Sequence, residues 1–185
     1  MTDEMTAVEQ ALARDEIRRL AFAYADAVDR RDIDFLASLY SPDARFGTHG
    51  KGADGARRFF DGALGQIGLA VLLVANHLIE FDRTSPDSAS CAGDAQTARG
   101  TVWAHGFIDD GKEGFIQQLI KYEDRYIRVG GVWKFTSRRH LLWLGWRHDE
   151  PDPLAQAAAN WPERQIGLGS IPYDDERWQE FWTQR

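Results

Sequence analysis

Tyr122-Glu123-Asp124-Arg125-Tyr126-Ile127-Arg128-Val129-Gly130-Gly131-Val132-Trp133-Lys134-Phe135 is the stretch whose reading decides the fold. Two runs rich in aromatic and branched residues flank a Gly-Gly turn, which is the pattern of an antiparallel hairpin. The runs are long, spanning residues 115–128 and 132–146. Working backward, residues 100–108 read as another strand, joined to the hairpin by a polar turn over 109–114. Residues 71–81 form a long apolar strand, and 88–93 a weaker one. Ahead of the strands lie helices. In residues 6–29 the apolar positions Val8, Leu12, Ile17, Leu20, Tyr24 and Val28 fall mostly three to five apart, as an amphipathic helix requires. Asp15-Glu16 is a candidate restart within it. Asp32 is a plausible N-cap for a second helix through Ile33, Leu36, Leu39 and Tyr40, which Ser41-Pro42 stops. Residues 44–47 read as a short strand and 57–64 as a third helix carrying Phe59 and Phe60. Helices first and a meander afterwards make the chain α+β.

Composition narrows the functional classes. The chain has 185 residues and a formal net charge of −7, which argues against a nucleic-acid partner. Seven Trp and ten Phe suit a chain that walls an apolar cavity as well as filling a core. A single cysteine, Cys91, excludes an internal disulfide and a cysteine-based zinc site. No apolar run reaches the length of a membrane span, and the acidic start carries no apolar signal region, so a cytoplasmic protein is expected. The tail from Asp149 opens on Pro151 and Pro153 and closes on Trp178, Phe181 and Trp182, a short amphipathic helix in need of a surface. We therefore divide the chain into a domain over 1–146 and an extension over 147–185, packed on the domain or on a neighbouring subunit.

The residues able to carry chemistry are few. Asp29 sits at a helix C-terminus, where a carboxylate is disfavoured by the helix dipole. Either Arg30 and Arg31 offset it in solvent or it faces inward and orients a partner. Strict strand alternation puts His77 on a face with Val71, Leu73, Ala75, Ile79 and Phe81, and His105 on a face with Trp103 and Phe107. A lone histidine on such a face is most often a core residue bonded to a backbone carbonyl. Two of them raise the odds of a cavity. His140 falls opposite Trp133 and Phe135 and is a third candidate. Tyr40, Phe46 and Phe60, with Trp103, His140 and Trp143, are candidate substrate-binding residues, while Tyr122 reads as core. No metal-ligand spacing, phosphate loop or nucleophile elbow is present. A tyrosine, an aspartate and a histidine around an apolar pocket suit proton transfer.

Three stretches carry a family resemblance. They are Ile17-Arg18-Arg19-Leu20 leading to Tyr24, Asp29 and Leu39-Tyr40-Ser41-Pro42-Asp43-Ala44-Arg45-Phe46; Asn76-His77-Leu78-Ile79-Glu80; and the hairpin ending at Arg138-Arg139-His140-Leu141-Leu142-Trp143. On these the chain resembles the SnoaL-like branch of the nuclear transport factor 2-like superfamily over roughly residues 10–146. The resemblance implies a cone of curved antiparallel sheet closed by N-terminal helices around an apolar cavity, a cystatin-like α+β barrel. It also brings scytalone dehydratase, hexachlorocyclohexane dehydrochlorinase and bile acid 7α-dehydratase to mind, which use an Asp–His dyad. The bile acid enzyme adds a tyrosine upstream, a spacing that Tyr24 and Asp29 match. In many of these relatives the histidine lies four residues before the strand's asparagine. Here that place is Leu72, and His77 follows Asn76 instead.

The resemblance therefore implies a cofactor-free dehydratase acting on a hydrophobic cyclic substrate such as a hydroxysteroid or polyketide. Tyr24, Asp29 and His77 or His105 would be catalytic. A homotrimer is expected, with no metal, nucleic-acid or membrane partner. An isomerase of a cyclic ketone, a non-catalytic binding protein and a dioxygenase small subunit are the alternatives.

Overall fold

The computed structural model describes residues 5–82, 96–109, 114–148 and 176–184. Helix α1 spans Ala7–Asp29 without a restart at Asp15-Glu16. Thr6 caps it through a reciprocal box with Glu9, in which the Thr6 amide donates to Glu9 Oε2 at 2.8 Å and the Glu9 amide to Thr6 Oγ1 at 3.3 Å. Helix α2 is short, Ile33–Ser38, with Asp32 as its N-cap. A single 3₁₀ turn at Gly47–His49 precedes α3, Gly52–Leu64, which starts earlier than the sequence suggests. The segment 44–47 contributes only an isolated bridge, Arg45 with Lys51.

Four strands follow: β1 Ala70–Phe81, β2 Thr97–Asp109, β3 Phe115–Val129 and β4 Val132–His148. They pair antiparallel in sequence order as one open sheet; the helices, not a closing strand, cover its inner face. Gly130 and Gly131, at φ 58° and 83°, supply the left-handed pair that the β3–β4 turn requires. The expected strand at 88–93, with Cys91, lies outside the described residues.

Small residues on α1, namely Ala13, Ala21 and Ala25, let it lie close against the sheet. The core between the layers is centred on Trp133, Tyr126, Phe135, Ile17 and Leu36, all essentially inaccessible. Helix α4, Glu176–Thr183, returns to this same chain. Phe181 joins the core, and Arg177 pairs with Asp32 at 2.5 Å. Strand β4 runs two residues past the domain boundary expected at 146.

Three bulges interrupt strict alternation among the described strands. On β1 the register shifts between Val74 and His77, so three steps on β1 match two on β2. On β4, Thr136 is the extra residue between Phe135 and Ser137, and Trp143 the extra one between Leu142 and Leu144. A bulge transfers every later residue to the opposite face. Ala70 and Leu72 face inward before the first bulge, and His77 and Ile79 after it. Phe135 faces inward before the second, and Arg138 and His140 after it.

Candidate active site

One end of the space between helices and sheet is left unfilled. It forms a cavity of about 440 Å³, a size ordinary for a small-molecule site. Tyr24 and Val28 of α1 form one wall, and Tyr40, Arg45 and Phe46 border it beyond α2. Phe59, Phe60 and Leu64 of α3 form another, and Ala70, Leu72 and Ile108 belong to β1 and β2. The aromatic wall is interlocked: Tyr40 meets Phe46 and Phe60 at 5.0 and 5.7 Å, and Tyr24 meets Phe60 at 6.0 Å. Such edge and tilted contacts hold the rings in fixed directions.

The polar groups converge at the sheet side. Gln118 and Tyr122 of β3 join Ser137, Arg138 and His140 of β4 there, opposite Tyr24. The Arg138 guanidinium carbon lies 4.3 Å from the ring centres of both Tyr24 and Tyr122. The His140 ring lies 5.3 Å from that of Tyr122. Burial pushes both tyrosine hydroxyls above their ordinary range, against the opposing pull of Arg138 on Tyr24, so both are protonated at neutral pH. Burial, reinforced by the Arg138 charge, holds His140 below the usual histidine value and therefore neutral near pH 7. Gln118 Oε1 is buried with no hydrogen-bond partner among the described residues. An acceptor left without a donor inside a cavity matches a ligand that brings one.

Behind this polar end lies a relay. Asp124 accepts Arg138 Nε at 2.9 Å and Nη2 at 2.8 Å, a bidentate pair whose side chains are 0% and 3% exposed. Burial alone would lower the Arg138 pKa, but the Asp124 charge outweighs it and the net shift is upward. Tyr126 donates to Asp124 Oδ2 at 2.8 Å and stands 3.0 Å from His77 Nε2. Because the Tyr126 proton is committed to Asp124, His77 Nε2 is the donor to Tyr126 and Nδ1 the unprotonated nitrogen. Nδ1 is buried without a partner among the described residues. Burial, the largest cause, lowers the His77 pKa to about 4. Gly100 makes room for the relay: a Cβ there would stand 3.0 Å from the Tyr126 hydroxyl.

Asp29 is placed elsewhere. Its Oδ1 accepts the Leu72 amide at 3.0 Å, and burial raises its pKa to about 7, partly countered by that amide and by Arg31. Asp29 bonds the sheet at Leu72, and His77 lies five residues further along β1, roughly 16 Å of strand.

The sequence-derived site therefore divides in two. Tyr24, Tyr40, Phe46, Phe60 and His140 line the cavity. The Asp29–His77 pairing is corrected: among the described residues no histidine bonds Asp29, and His77 enters the core beside Tyr126 because the β1 bulge reverses its face. His105 is corrected as well. It stacks on Phe107 at 4.4 Å on the outer face, with its Nε2 buried and unpartnered among the described residues. Trp103 and Trp143 meet edge to face at 5.2 Å on that outer face, away from the cavity. Tyr122 is a wall residue as well as a core one. Gln118, Arg138 and Arg45 were missed. Gln118 was legible, since it shares a face with Ile120 and Tyr122 by simple alternation. Arg138 was hidden by the Thr136 bulge. Among the described residues no three His, Cys, Asp or Glu side chains cluster as a metal site, and no helix is long and apolar enough to cross a membrane.

An open antiparallel sheet curled beneath N-terminal helices around an internal cavity defines a cavity protein of the nuclear transport factor 2-like superfamily. Within it, the chain belongs to the SnoaL-like domain family, whose sequence profile matches residues 9–139. Among solved structures it is similar to a hexachlorocyclohexane dehydrochlorinase, LinA-type3, from Novosphingobium barchaimii LL02. That match has 22% identity, covers 77% of this chain and 94% of the other, and has a TM-score of 0.58. A provisionally named scytalone dehydratase from Novosphingobium aromaticivorans DSM 12444 is 19% identical, over 80% and 97% of the two chains, with a TM-score of 0.57. A Mycobacterium tuberculosis protein of unknown function is 17% identical over 98% and 96%, with a TM-score of 0.55. At these identities the likeness is one of fold. No curated protein sequence matches the chain significantly.

Proposed function

We propose that the protein is a lyase that removes water from a hydrophobic cyclic β-hydroxy ketone, of the size of a polyketide or steroid ring system, within this cavity. The observation that carries the reading is the convergence of His140, Tyr24, Tyr122 and Arg138 at one end of an otherwise apolar cavity. His140, neutral near pH 7, takes the proton on the carbon next to the carbonyl. The electrons of that bond move onto the carbonyl oxygen, where the Tyr24 and Tyr122 hydroxyls and the Arg138 guanidinium stabilise the enolate. The enolate then collapses, a carbon–carbon double bond forms, and the β-hydroxyl leaves. The proton held on His140 returns to it, so water departs and the enzyme is regenerated. Gln118 Oε1 accepts a hydrogen bond from the substrate hydroxyl in the bound state, which favours a hydroxylated ligand. Asp29 takes a supporting role in this scheme, holding Leu72 and Val28 in the wall. The reading is tested by incubating the protein with cyclic β-hydroxy ketones and following loss of the mass of water. Turnover that His140→Gln leaves unchanged would sink it.

A second reading is an isomerase. It is favoured by the presence of one histidine and no carboxylate among the described lining residues, since a proton moved between two carbons needs a single base and no separate leaving-group acid. A product of unchanged mass but altered absorbance would select it.

A further inference from the structure

The cavity does not end in neutral surface. Arg45 and Gly47, which line it, also line a shallow exposed depression completed by Gly50 and Lys51. The apolar chamber therefore runs directly onto a cationic shelf. Arg45 is exposed, and among the described residues its guanidinium makes no ion pair. Lys51 is bridged to it through the backbone, and among the described residues its ammonium reaches only the exposed Asp43, at 3.4 Å. Arg58 adds a third cation, spent on the His49 carbonyl at 2.9 and 2.6 Å and paired with no carboxylate among the described residues. Lys51 is also the N-cap residue of α3, a helix end with no side-chain cap, so the positive pole of that helix adds to the shelf. A chain carrying −7 overall has thus placed excess positive charge at the mouth of a largely apolar cavity. The inner end differs in kind: there Asp124 neutralises Arg138.

We propose that the ligand is amphipathic, with an apolar ring body in the cavity and an anionic substituent, a carboxylate or phosphate, held at the mouth by Arg45 and Lys51. This rests on the cavity being the ligand site, as in the reading above, but not on any reaction there. The neutral inner end receives an uncharged oxygen and the cationic shelf receives the charge, so the ligand has one orientation. The shelf would also draw anionic ligands toward the mouth, more strongly at low ionic strength.

The test compares two probes that share one aromatic body. 8-Anilinonaphthalene-1-sulfonate carries an anion and N-phenyl-1-naphthylamine carries none; both report binding by fluorescence. Arg45→Gln is expected to weaken the sulfonate about ten-fold while leaving the neutral probe within about two-fold. Lys51→Gln should act in the same direction, and added salt should weaken the sulfonate on the wild type more than on Arg45→Gln. Ala63 of α3 also lines the cavity, and Ala63→Trp, which fills it from that wall, should displace both probes. Equal loss of both probes in Arg45→Gln, no loss of either, or sulfonate binding that survives Ala63→Trp would overturn the proposal. None of these readouts requires turnover, so failure of the dehydratase reading leaves the result interpretable.

Discussion

Asp29 Oδ1 accepts the Leu72 amide at 3.0 Å and so ties the last residue of α1 to the free edge of β1. The bond satisfies an edge amide that no other described strand reaches. Its acceptor is a carboxyl raised by burial to about 7. In the unfolded chain the same group titrates near 3.9. Unfolding between these values therefore releases a proton. The stability contributed by the protonated group is complete below about pH 4 and is lost as pH rises to about 7. With partial exposure screening the charge, the effect is about 2 kcal/mol at most. An amide in place of the carboxyl would keep the acceptor and lose the titration. The melting temperature of Asp29→Asn, relative to wild type, should therefore climb by a few degrees between pH 4.5 and pH 8. A difference that stays constant across that range would remove the carboxyl from this role.

Arg138 and Asp124 are buried as a unit, and breaking one side leaves the other charged and unpaired. Asp124→Asn should lower unfolding free energy in urea by about 3–5 kcal/mol. The apolar double variant Arg138→Met with Asp124→Leu should recover much of that loss. Strictly additive losses would mean that the two side chains are not coupled.

His140 sits below the usual histidine value because of burial and the Arg138 charge. If it is the base, kcat/KM should be flat at neutral pH and fall only below the ordinary histidine range. His140→Gln should cost about 100-fold or more in kcat and abolish that acid limb. An acid limb unchanged in the variant would assign it to another group.

His77 titrates in the opposite sense to Asp29. Its pKa is lowered to about 4, chiefly by burial, from an unfolded value near 6.5. Its contribution is present above pH 6.5 and lost as pH falls through 4, because the unfolded state binds the proton first. His77→Gln keeps a donor for Tyr126. Thermal melts of this variant should lose stability less steeply between pH 6.5 and 4 than those of the wild type.

The outer face of the sheet presents Leu73, Trp143 and Leu144, each half or more exposed, beside the Trp103–Trp143 contact. We expect this face to join copies of the chain, as a trimer. Sedimentation at micromolar concentration should show the assembly in the wild type and its loss in Trp143→Glu. A wild type that sediments as a monomer would refute the expectation.

The order of elements was legible in the sequence because each is locally consistent. Thr6 caps α1, Asp32 caps α2, Pro42 stops the chain after it, and Gly130-Gly131 turns the hairpin. The aromatic half of the site was legible too, since Tyr24, Tyr40, Phe46 and Phe60 sit on helices or next to them, where the period is unbroken. What failed was face assignment on strands. A period of two carries no memory of an inserted residue, and neither Ala75-Asn76 nor Thr136 contains a glycine or proline to announce one. Each misplaced histidine and tryptophan of the expected site follows from this or from the outer face. His77 and His140 lie after a bulge and exchange the faces expected of them. His105 and Trp103 lie on an unbroken strand, where apolar neighbours suggest an inner face. In this sheet the outer face is apolar as well.

The bulges at Ala75-Asn76 and at Thr136 fall on opposite edges of the sheet, both at the border between its filled end and its hollow end. On either side of these two bulges each edge strand is thus a short text in a different phase. On the filled side, His77, Ile79, Trp133 and Phe135 secure the fold. On the hollow side, Ala70, Leu72, Arg138 and His140 face whatever is bound. Substitutions at Ala70, Leu72 and His140 can drift toward new ligands while the first group, and Arg138 with its buried partner Asp124, stay constant, so one scaffold can acquire a new specificity without being rebuilt. Deleting Thr136 would put the two texts back in phase and turn Arg138 and His140 out of the chamber with no other change to the sequence.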